Sequence, residues 1–523
     1  MAEIFHKFFT TGGPADPLRH YVVPAVERVP YIRQLVEDGL FFALRGPRQS
    51  GKTTLIQELV REINDCDRFH ALYISLGEAR ILRKLASVSS FFVEALNEAL
   101  KASPNSILSG ATARLDPNPI KAVRGALVAL CSSLDKPLAL FIDEFDSLRG
   151  EIAKSLLDQF RVGHATRARS HFPYSLGLIS TLSLDNLPAG EGKARRGRGS
   201  APELWGGPFF VARELRLPNF SFADINKYLE LHSVATGQSI EDAARARVWH
   251  WTAGQPWLVN ALMTEAVELI LNGDWSKEVS PAVVDQAAEA LKREMPTHLR
   301  RLMAWIKEPQ VRTVMGPVLA GSIAREPILD EGVSLALDLG LLSVDNRDNL
   351  RPANQLYQDI ALRALTEHVV LPASLEGRFL EEDALALTPL LQEFQRYWRE
   401  KSLAWLAPFA GDPTVLAHLA VQLFLRACLA GQGELQRRSA IGEDSLDLTV
   451  SYRDRKYPIT LKVARPGALA AGLDALSSNL DAEGALEGWL LLFDMDNLKS
   501  PEEKISWKTK TLSAGRAVQV VGL

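Results

Sequence analysis

The sequence predicts an α/β fold in which a parallel sheet carries a phosphate-binding loop, followed by helical modules and a C-terminal α+β module. Three observations support this prediction. The Gly-rich run 46–53 stands between an apolar stretch and the helix-forming run 54–63. Short apolar stretches then alternate with amphipathic ones as far as about Leu217, which is typical of a parallel sheet. After Pro218 the strand-like stretches give way to helical spacing.

Length and composition indicate an ordinary globular protein with several domains. The chain has 523 residues, and single hydrophobic cores stop growing at about 250–300 residues, so we expect three or more domains. Hydrophobic residues make up 47% and charged residues 23%, which leaves little room for extended disorder. The formal net charge of -4 argues against a uniformly basic protein that coats nucleic acid, but it allows a local basic patch.

Cysteine usage and hydropathy bear on the cellular compartment. Cys66, Cys131 and Cys428 stand far apart, without a second Cys or His at metal-ligand spacing, so neither a disulfide framework nor a zinc site is indicated. The first residues lack the apolar core of a signal peptide, and no stretch approaches the roughly 18 apolar residues of a membrane span. We therefore expect a cytoplasmic protein that does not enter a membrane.

Residues 40–217 have the pattern of the α/β core. Strands are predicted at residues 40–44, 71–76, 138–142, 174–180 and 209–217. The interval 188–208 is rich in Gly and Arg and has no apolar periodicity, so we expect a mobile loop there.

Two helical modules are predicted next. Residues 218–294 form a small all-helical domain, with helices at 222–233, 240–252, 258–271 and 281–294. Residues 295–366 continue with helices and then a turn, 345–348, between two short apolar runs. That order suggests a winged helix.

The last third of the chain is predicted to contain a helical connector, 367–429, and a compact α+β module, 430–523. Helices are predicted at 384–400 and 413–429 in the connector. In the module, a hairpin is predicted at 446–452 and 457–463, a helix at 467–480 and a buried strand at 488–494.

The run 46–53 has the features that phosphate binding requires. Several backbone N–H groups must converge on one oxygen cluster at a helix N-terminus, which requires residues that tolerate unusual dihedral angles. Gly46 and Gly51 supply that freedom. Lys52 would reach the β- and γ-phosphates, and the Thr53 hydroxyl would hold Mg²⁺. The nucleotide contacts predicted here are Gly46, Pro47, Arg48, Gln49, Ser50, Gly51, Lys52, Thr53 and Thr54.

Two adjacent carboxylates follow the apolar run 138–142. A buried strand would deliver Asp143 and Glu144 to the carboxyl edge of the sheet, where open α/β sheets place their ligands. Asp143 would act on Mg²⁺ and Glu144 would polarise the attacking water, so the pair favours hydrolysis over nucleotide sensing alone. The alternative is a core strand that ends in helix N-cap residues.

Three arginines after this pair are candidates for the cation that phosphoryl transfer usually needs near the γ-phosphate. Arg161, Arg167 and Arg169 could act in cis or across a subunit interface, and each is also explained as a solvated side chain. Ser180 and Thr181, at the end of the next predicted strand, could orient water or simply cap that strand.

Three segments resemble those of bacterial AAA-like ATPases of the AAA+ class, related to the origin-recognition and STAND groups. They are the loop 45–54, the opening run 21–24 (Tyr-Val-Val-Pro) and the run 254–262 (Gly-Gln-Pro-Trp-Leu-Val-Asn-Ala-Leu). In such families the Gly-x-Pro turn of a helical lid and the segment before the phosphate loop pack around the adenine. The adenine contacts implied by the resemblance lie at about 21–28 and 254–256, and they include Tyr21, Val22, Val23 and Pro256.

The same resemblance assigns roles to whole segments. It implies that residues 1–39 lie on the adenine side of the nucleotide and that residues 218–294 form the lid. It also implies that the chain assembles into a homo-oligomer. STAND-like members often carry an arginine after the fourth strand, whereas this sequence has Leu182 and Ser183 there. Without the resemblance, Trp257 and Leu258 are interpreted as helix core.

The C-terminal module resembles the PD-(D/E)XK, or restriction-endonuclease-like, domains appended to such ATPases. Asp447 and Lys462 match that pattern, but Thr460 stands where a Glu is expected and Arg438 takes the place of an upstream Glu. Ala475 and Asn479 replace the usual Gln and Tyr. One carboxylate and one lysine hold a hard cation poorly, so we expect an inactive domain. A divergent site built from Glu443, Asp444 or Asp447 is the alternative.

These features lead to three hypotheses about function. The first is an ATP- and Mg²⁺-dependent switch or assembly ATPase with an unidentified protein partner. The second is an ATP-regulated DNA-processing or defence nuclease, and the third is a scaffold that binds ATP structurally. DNA could be bound by the C-terminal module or by a basic face of the predicted winged helix, although solvated helix positions explain that face as well. The residues of that face are His298, Arg300, Arg301, Lys307 and Arg312.

Overall fold

The structure is a computed structural model, and it divides into two compact units. The first comprises Met1–Glu294 and Asp338–Gly340, and the second comprises Met295–Leu337 and Leu341–Leu523. The residues that the structure describes are 6–148, 150–183, 213–321, 330–407, 409, 411–438, 445–496, 499–512 and 516–523. The predicted loop 188–208 and the first residues of the strand predicted at 209–217 lie outside them.

The first unit contains the predicted parallel sheet. Its strands are β1 (Phe41–Arg45), β2 (His70–Ser75), β3 (Leu138–Asp143), β4 (Ser175–Ser180) and β5 (Arg213–Arg216). Their order is β2-β3-β4-β1-β5, and every neighbouring pair is parallel. The parallel core predicted from the sequence is therefore confirmed. All carboxyl ends lie at one edge, so the segments that follow β1 and β3 leave the sheet at the same edge, on either side of β4.

Helices cover both faces of this sheet. They are α1 (Ile32–Glu37), α2 (Lys52–Asp65), α3 (Leu85–Ala102), α4 (Ser106–Gly110), α5 (Ala122–Ser133) and α6 (Gly150–Thr166). Consecutive strand residues point to opposite faces: Phe41 packs in one apolar cluster with α3, α5 and α6, and Phe42 packs in the other with α1 and α2. Burial on both faces explains why β1, β3 and β4 are almost wholly apolar.

Four helices complete the first unit and correspond to the predicted helical domain. They are α7 (Phe222–Thr236), α8 (Asp242–Thr252), α9 (Pro256–Thr264) and α10 (Pro281–Glu294). The second begins later than predicted, because Ile240 forms a β-bridge with Val279. The third begins at Pro256, where Gln255 caps it, and continues after Thr264 as π-helix Glu265–Ile270.

The second unit begins with three helices and a hairpin. They are α11 (Thr297–Lys307), α12 (Pro309–Ala320), α13 (Glu331–Asp338), β6 (Leu342–Val344) and β7 (Leu350–Pro352), followed by α14 (Gln355–Leu365). The strands β6 and β7 are antiparallel, and the Asp345 carboxylate accepts the N–H groups of Arg347 and Asn349 in the turn between them. This element order agrees with the one from which a winged helix was predicted.

Two long helices and a mixed sheet form the rest of the second unit. The elements are α15 (Leu387–Leu406), α16 (Pro413–Leu429), β8 (Glu434–Arg438), β9 (Ser445–Tyr452), β10 (Arg455–Val463), α17 (Ala468–Glu483), β11 (Glu487–Phe493), α18 (Pro501–Lys504), β12 (Ser506–Thr511) and β13 (Ala517–Gly522). The sheet order is β12-β13-β11-β10-β9-β8. Helix α15 begins later than predicted because the Leu385 N–H donates to the Tyr457 hydroxyl and Leu385 pairs with Leu380. Among the described residues, no helix is long and apolar enough to cross a bilayer.

Candidate nucleotide site

The loop between β1 and α2, residues 46–51, has the backbone geometry of an anion site. Gly51 lies in the left-handed region with φ of 91°, and α2 begins at the next residue. Gln49 also has a positive φ, 63°, which is uncommon for a residue with a side chain. Residues with positive φ that alternate with ordinary ones turn successive N–H groups toward one point. The N-terminus of α2 adds its partial positive charge at that point. We refer to residues 46–52 as the phosphate loop.

The side chain of Lys52 lies inside the phosphate loop and donates hydrogen bonds to the loop backbone. Its Nζ donates to the carbonyl oxygens of Gly46 at 2.7 Å and Pro47 at 2.9 Å. Burial lowers the pKa of Lys52 to about 8, although the nearby carboxylate of Asp143 opposes this shift. A desolvated ammonium is suited to a polyanionic ligand, because the ligand's charge offsets the cost of burying the cation.

Asp143, the last residue of β3, is brought against Thr53. The Thr53 hydroxyl donates to Asp143 Oδ2 at 2.6 Å, the Tyr73 hydroxyl donates to the same oxygen at 3.1 Å, and the N–H of Glu144 donates to Oδ1 at 2.8 Å. Burial raises the pKa of Asp143 above its ordinary value, against the effect of these donors and of Lys52. A carboxylate and a hydroxyl this close are hard oxygen donors of the kind that Mg²⁺ accepts, so the residues present fit that ion.

Glu144 lies at the same sheet edge and is held by the neighbouring strand. Its backbone has a positive φ, 55°, and its side chain is exposed. The Ser75 hydroxyl, at the end of β2, donates to Glu144 Oε2 at 2.8 Å. A Cβ on Gly77 would lie 2.0 Å from that oxygen, so the carboxylate occupies space that only glycine leaves. Ser75 and Gly77 were not predicted from the sequence, although Ser75 stands near the end of the strand predicted at 71–76 and Gly77 directly follows it.

A pocket opens beside the phosphate loop within the first unit. The predicted adenine contacts Tyr21, Val22, Val23 and Pro256 line it. Its remaining lining includes Gln49, Gly51 and Thr54 from the loop and α2, and Arg28, Phe220, Tyr228, Trp257 and Asn260. The structure thus brings the N-terminal segment, the phosphate loop and the start of α9 around one space. Trp257 is 7% exposed, as expected for helix core, but it also lines this pocket and its Nε1 donates to Thr11 O at 2.9 Å.

Comparison with known proteins agrees with this geometry. Residues 39–150 match the family model described as an AAA domain. This segment is therefore similar to AAA domains. Among the curated proteins compared with the chain, none matches it.

Solved structures give weaker similarities. The Walker-type ATPase PABY2304 of Pyrococcus abyssi is 14% identical with a TM-score of 0.43, over 68% of this chain and 99% of that one. The Thermotoga maritima RuvB Holliday junction branch migration motor is 17% identical with a TM-score of 0.33, over 62% of this chain and 89% of that one. Cdc6p from Pyrobaculum aerophilum is 11% identical with a TM-score of 0.35, over 77% of this chain and 93% of that one. Similarities of this size say nothing about what the chain binds or does.

Two of the predicted catalytic arginines, Arg167 and Arg161, are not brought to the phosphate loop. Arg167 donates from Nη1 to Gly39 O at 2.7 Å and Tyr174 O at 3.2 Å, at the edge where β1 and β4 begin. The prediction that Arg167 acts in cis is therefore not supported, because the phosphate loop lies at the opposite edge of the sheet, where β1 ends. Arg161 is exposed on α6 and pairs with Asp158 at 3.4 Å.

The predicted water-orienting residues have other partners. The Ser180 hydroxyl donates to Leu182 O at 2.7 Å, and the N–H of Thr181 donates to Asp146 Oδ2 at 3.2 Å. The backbone carbonyl of Ser180 accepts the N–H of Gly46 at 3.3 Å. These bonds tie the end of β4 to the start of the phosphate loop.

In the second unit, the residues of the nuclease resemblance lie on neighbouring strands. Asp447 on β9 pairs in register with Thr460 on β10, and the buried Thr460 hydroxyl donates to Asp447 Oδ1 at 2.6 Å. Arg438 on β8 stands in register with Asp447. Glu443 and Asp444 lie outside the described residues. In the part of the chain that the structure describes, no group of three or more His, Cys, Asp or Glu side chains is placed to hold a metal ion.

Proposed function

We propose that the AAA domain binds ATP with Mg²⁺ and hydrolyses it to ADP and phosphate. The observation that carries this proposal is the convergence of Lys52, Thr53, Asp143 and Glu144 at one sheet edge. Each supplies a different need of phosphoryl transfer: a cation, two hard oxygen donors and a base. The pocket beside the phosphate loop is lined by the residues predicted to contact the adenine.

Each residue of the proposed site has a separate role in ATP hydrolysis. Lys52 and the N–H groups of the phosphate loop hold the β- and γ-phosphate oxygens. Bound Mg²⁺ supplies charge that offsets the negative charge developing on those oxygens, and Thr53 and Asp143 would hold it. Glu144 orients the attacking water and accepts its proton. The Ser75 hydroxyl donates to Oε2 of Glu144, so this bond would orient the carboxylate that receives the water's proton.

A pH dependence follows from the position of Lys52. Its pKa is lowered to about 8, so above that value ATP binding must be coupled to proton uptake by Lys52. We expect ATP affinity to fall by up to about tenfold for each pH unit above the pKa. Titration of the protein with a fluorescent ATP analogue at a series of pH values measures this slope. Lys52→Arg, whose guanidinium stays protonated, should show no slope, and an unchanged affinity of the wild type at alkaline pH would contradict the assignment.

The proposed biological role is that of a switch or assembly ATPase. ATP would link neighbouring copies of the chain, with Arg161, Arg167 or Arg169 completing the site of the adjacent subunit. Arg167 donates to Gly39 O and Tyr174 O away from its own phosphate loop, so it would have to give up these bonds to act in trans. An unidentified protein partner would then respond to the nucleotide state.

Binding of DNA by residues 295–366 is less well supported than binding of protein. If this segment is a winged helix, α13 stands in the place of the recognition helix. Helix α13 contains Glu331 and Asp338 and no Lys or Arg. Of the proposed basic face, Lys307 pairs with Glu367, and the His298 ring is 2.9 Å from the Tyr357 hydroxyl.

We propose that the C-terminal module keeps a nuclease-like fold without cleaving nucleic acid. The expected result is no metal-dependent cutting of single- or double-stranded DNA or RNA with Mg²⁺ or Mn²⁺, with or without ATP. Two fixed groups, Asp447 and Lys462, leave a metal with too few ligands. Thr460→Glu restores one acid and should restore metal binding at most, because Arg438 still takes the place of the upstream Glu. Cleavage by the wild type that disappears in both Asp447→Ala and Lys462→Ala would establish a working nuclease.

ATP turnover by the pure protein, measured with and without DNA, tests the proposed function. A switch or assembly ATPase should release phosphate without DNA and should change little when DNA is added. Turnover that requires DNA would favour the DNA-processing alternative. ATP that binds but is not hydrolysed would favour the scaffold. If DNA binds, a steep loss of affinity with rising salt would indicate phosphate contacts.

A further inference from the structure

Four carbonyls of the phosphate loop accept hydrogen bonds from side chains. Lys52, inside the loop, donates to the carbonyls of Gly46 and Pro47. A loop that directs its N–H groups toward a ligand directs other carbonyl groups away from it, and these need donors when they are buried. Gln255, before α9, donates from Nε2 to Gln49 O at 3.2 Å, and Arg28 donates from Nη2 to Ser50 O at 3.3 Å.

Arg28 touches the lid as well as the loop. Its Nη2 also donates to Pro218 O, where the chain leaves β5 for α7, and its guanidinium lies 4.9 Å from the centre of the Phe220 ring. Burial lowers the pKa of Arg28 to about 10, and its buried Nε has no hydrogen-bond partner in the part of the chain that is described. A cation buried against carbonyls and a ring is costly, which argues for a purpose beyond packing.

Gln255 joins the same two parts from the other side. It is 3% exposed, and its Oε1 accepts the N–H of Leu258 at 2.5 Å, which caps α9. The preceding Gly254 has a φ of 73°, and a Cβ there would lie 1.9 Å from Phe220 O. The N–H of Phe220 donates to Gly254 O at 2.8 Å. The start of the lid and the start of α9 are therefore fixed to each other, and both are fixed to the phosphate loop.

We propose that Arg28 and Gln255 are positioning residues that couple the phosphate loop to the helical lid, α7–α10. This inference rests on the proposed ATP site. When the loop N–H groups engage phosphate, the loop carbonyls on its other side are fixed, and the two side chains transmit that order to Pro218 and to the N-terminus of α9. Conversely, loss of either side chain leaves the loop carbonyls free to turn, so the N–H groups are less well aligned for phosphate.

Arg28→Met and Gln255→Glu test this coupling in the full-length protein. Met keeps the aliphatic contact with Phe220, and Glu keeps the acceptor for the Leu258 N–H while losing the donor to Gln49 O. We expect each to weaken ATP and ADP binding by about tenfold, as loss of one or two such hydrogen bonds implies. Binding of adenosine, which has no phosphate, should be weakened by a smaller factor than binding of ATP and ADP. The controls Arg33→Met and Gln34→Glu make the same charge changes on α1.

Hydrogen exchange of the lid separates coupling from a local loss of affinity. At saturating ATP, the wild type should show slower exchange in α7 and α9 than without ATP, and both variants should lose most of this protection. Arg28→Lys, which can replace one of the two hydrogen bonds, should give an intermediate result and covers the case in which Arg28→Met fails to fold. Variants that protect the lid like the wild type would overturn the inference. Failure of the wild type itself to bind ATP would instead refute the proposed function.

Discussion

Lys52→Ala is expected to weaken ATP binding by at least about a hundredfold, which corresponds to about 3 kcal/mol or more. The ammonium is the cation nearest to where the β- and γ-phosphates would lie, and it also donates to Gly46 O and Pro47 O. Alanine therefore removes the charge that opposes the phosphates and two bonds that shape the phosphate loop. Titration with a fluorescent ATP analogue measures the loss.

The matched control is Lys101→Ala, at an exposed lysine in the last turn of α3. Its ATP affinity should equal that of the wild type. Circular dichroism on both variants shows whether each has folded. A folded Lys52→Ala protein with undiminished ATP affinity would refute the assignment of the phosphate site.

Glu144→Gln should bind ATP about as tightly as the wild type while turnover falls by roughly a hundredfold or more. The amide is nearly isosteric, and its oxygen can still accept the Ser75 hydroxyl, but it cannot take a proton from water. Steady-state phosphate release and ATP affinity, measured on one preparation, separate the two effects. The control is Glu151→Gln, an exposed glutamate in the first turn of α6.

The same variant also reports on assembly. An ATP-bound form that cannot turn over should accumulate as an oligomer if subunits share their sites, and light scattering would detect it. Hydrolysis that survives Glu144→Gln unchanged would remove Glu144 from the mechanism. A strictly monomeric ATP-bound form would count against Arg161, Arg167 or Arg169 acting in trans.

The parts of the site that were predicted from the sequence are those encoded by neighbouring residues. Lys52 and Thr53 follow glycines at fixed spacing, and Asp143 ends an apolar run, so local pattern and parallel-sheet geometry are enough to bring them together. Arg28 and Gln255 could not be found in this way. Their partners, Ser50 and Gln49, are distant in the chain, and a side-chain bond to a loop carbonyl leaves no periodic signal.

Errors in the fold prediction have the same origin. Strand β12 alternates Ser, Lys and Thr on a partly exposed sheet edge, so it lacks the apolar pattern that identified β3. Strand β13 is antiparallel to its chain neighbour β12, but it pairs in parallel with β11, from which α18 and β12 separate it in the chain. Arg167 looked like a catalytic cation by its place after the acidic pair, but only the three-dimensional fold reveals that its partners are Gly39 O and Tyr174 O.

Single-turnover hydrolysis, with the protein in excess over ATP and Mg²⁺ present, tests the central claim most directly. It reports the chemical step at the proposed site and does not depend on product release. We expect the wild type to convert bound ATP to ADP and phosphate, Glu144→Gln to bind ATP without converting it, and Lys52→Ala neither to bind nor to convert it. No conversion by the wild type, or equal conversion by all three proteins, would contradict the proposed ATPase site.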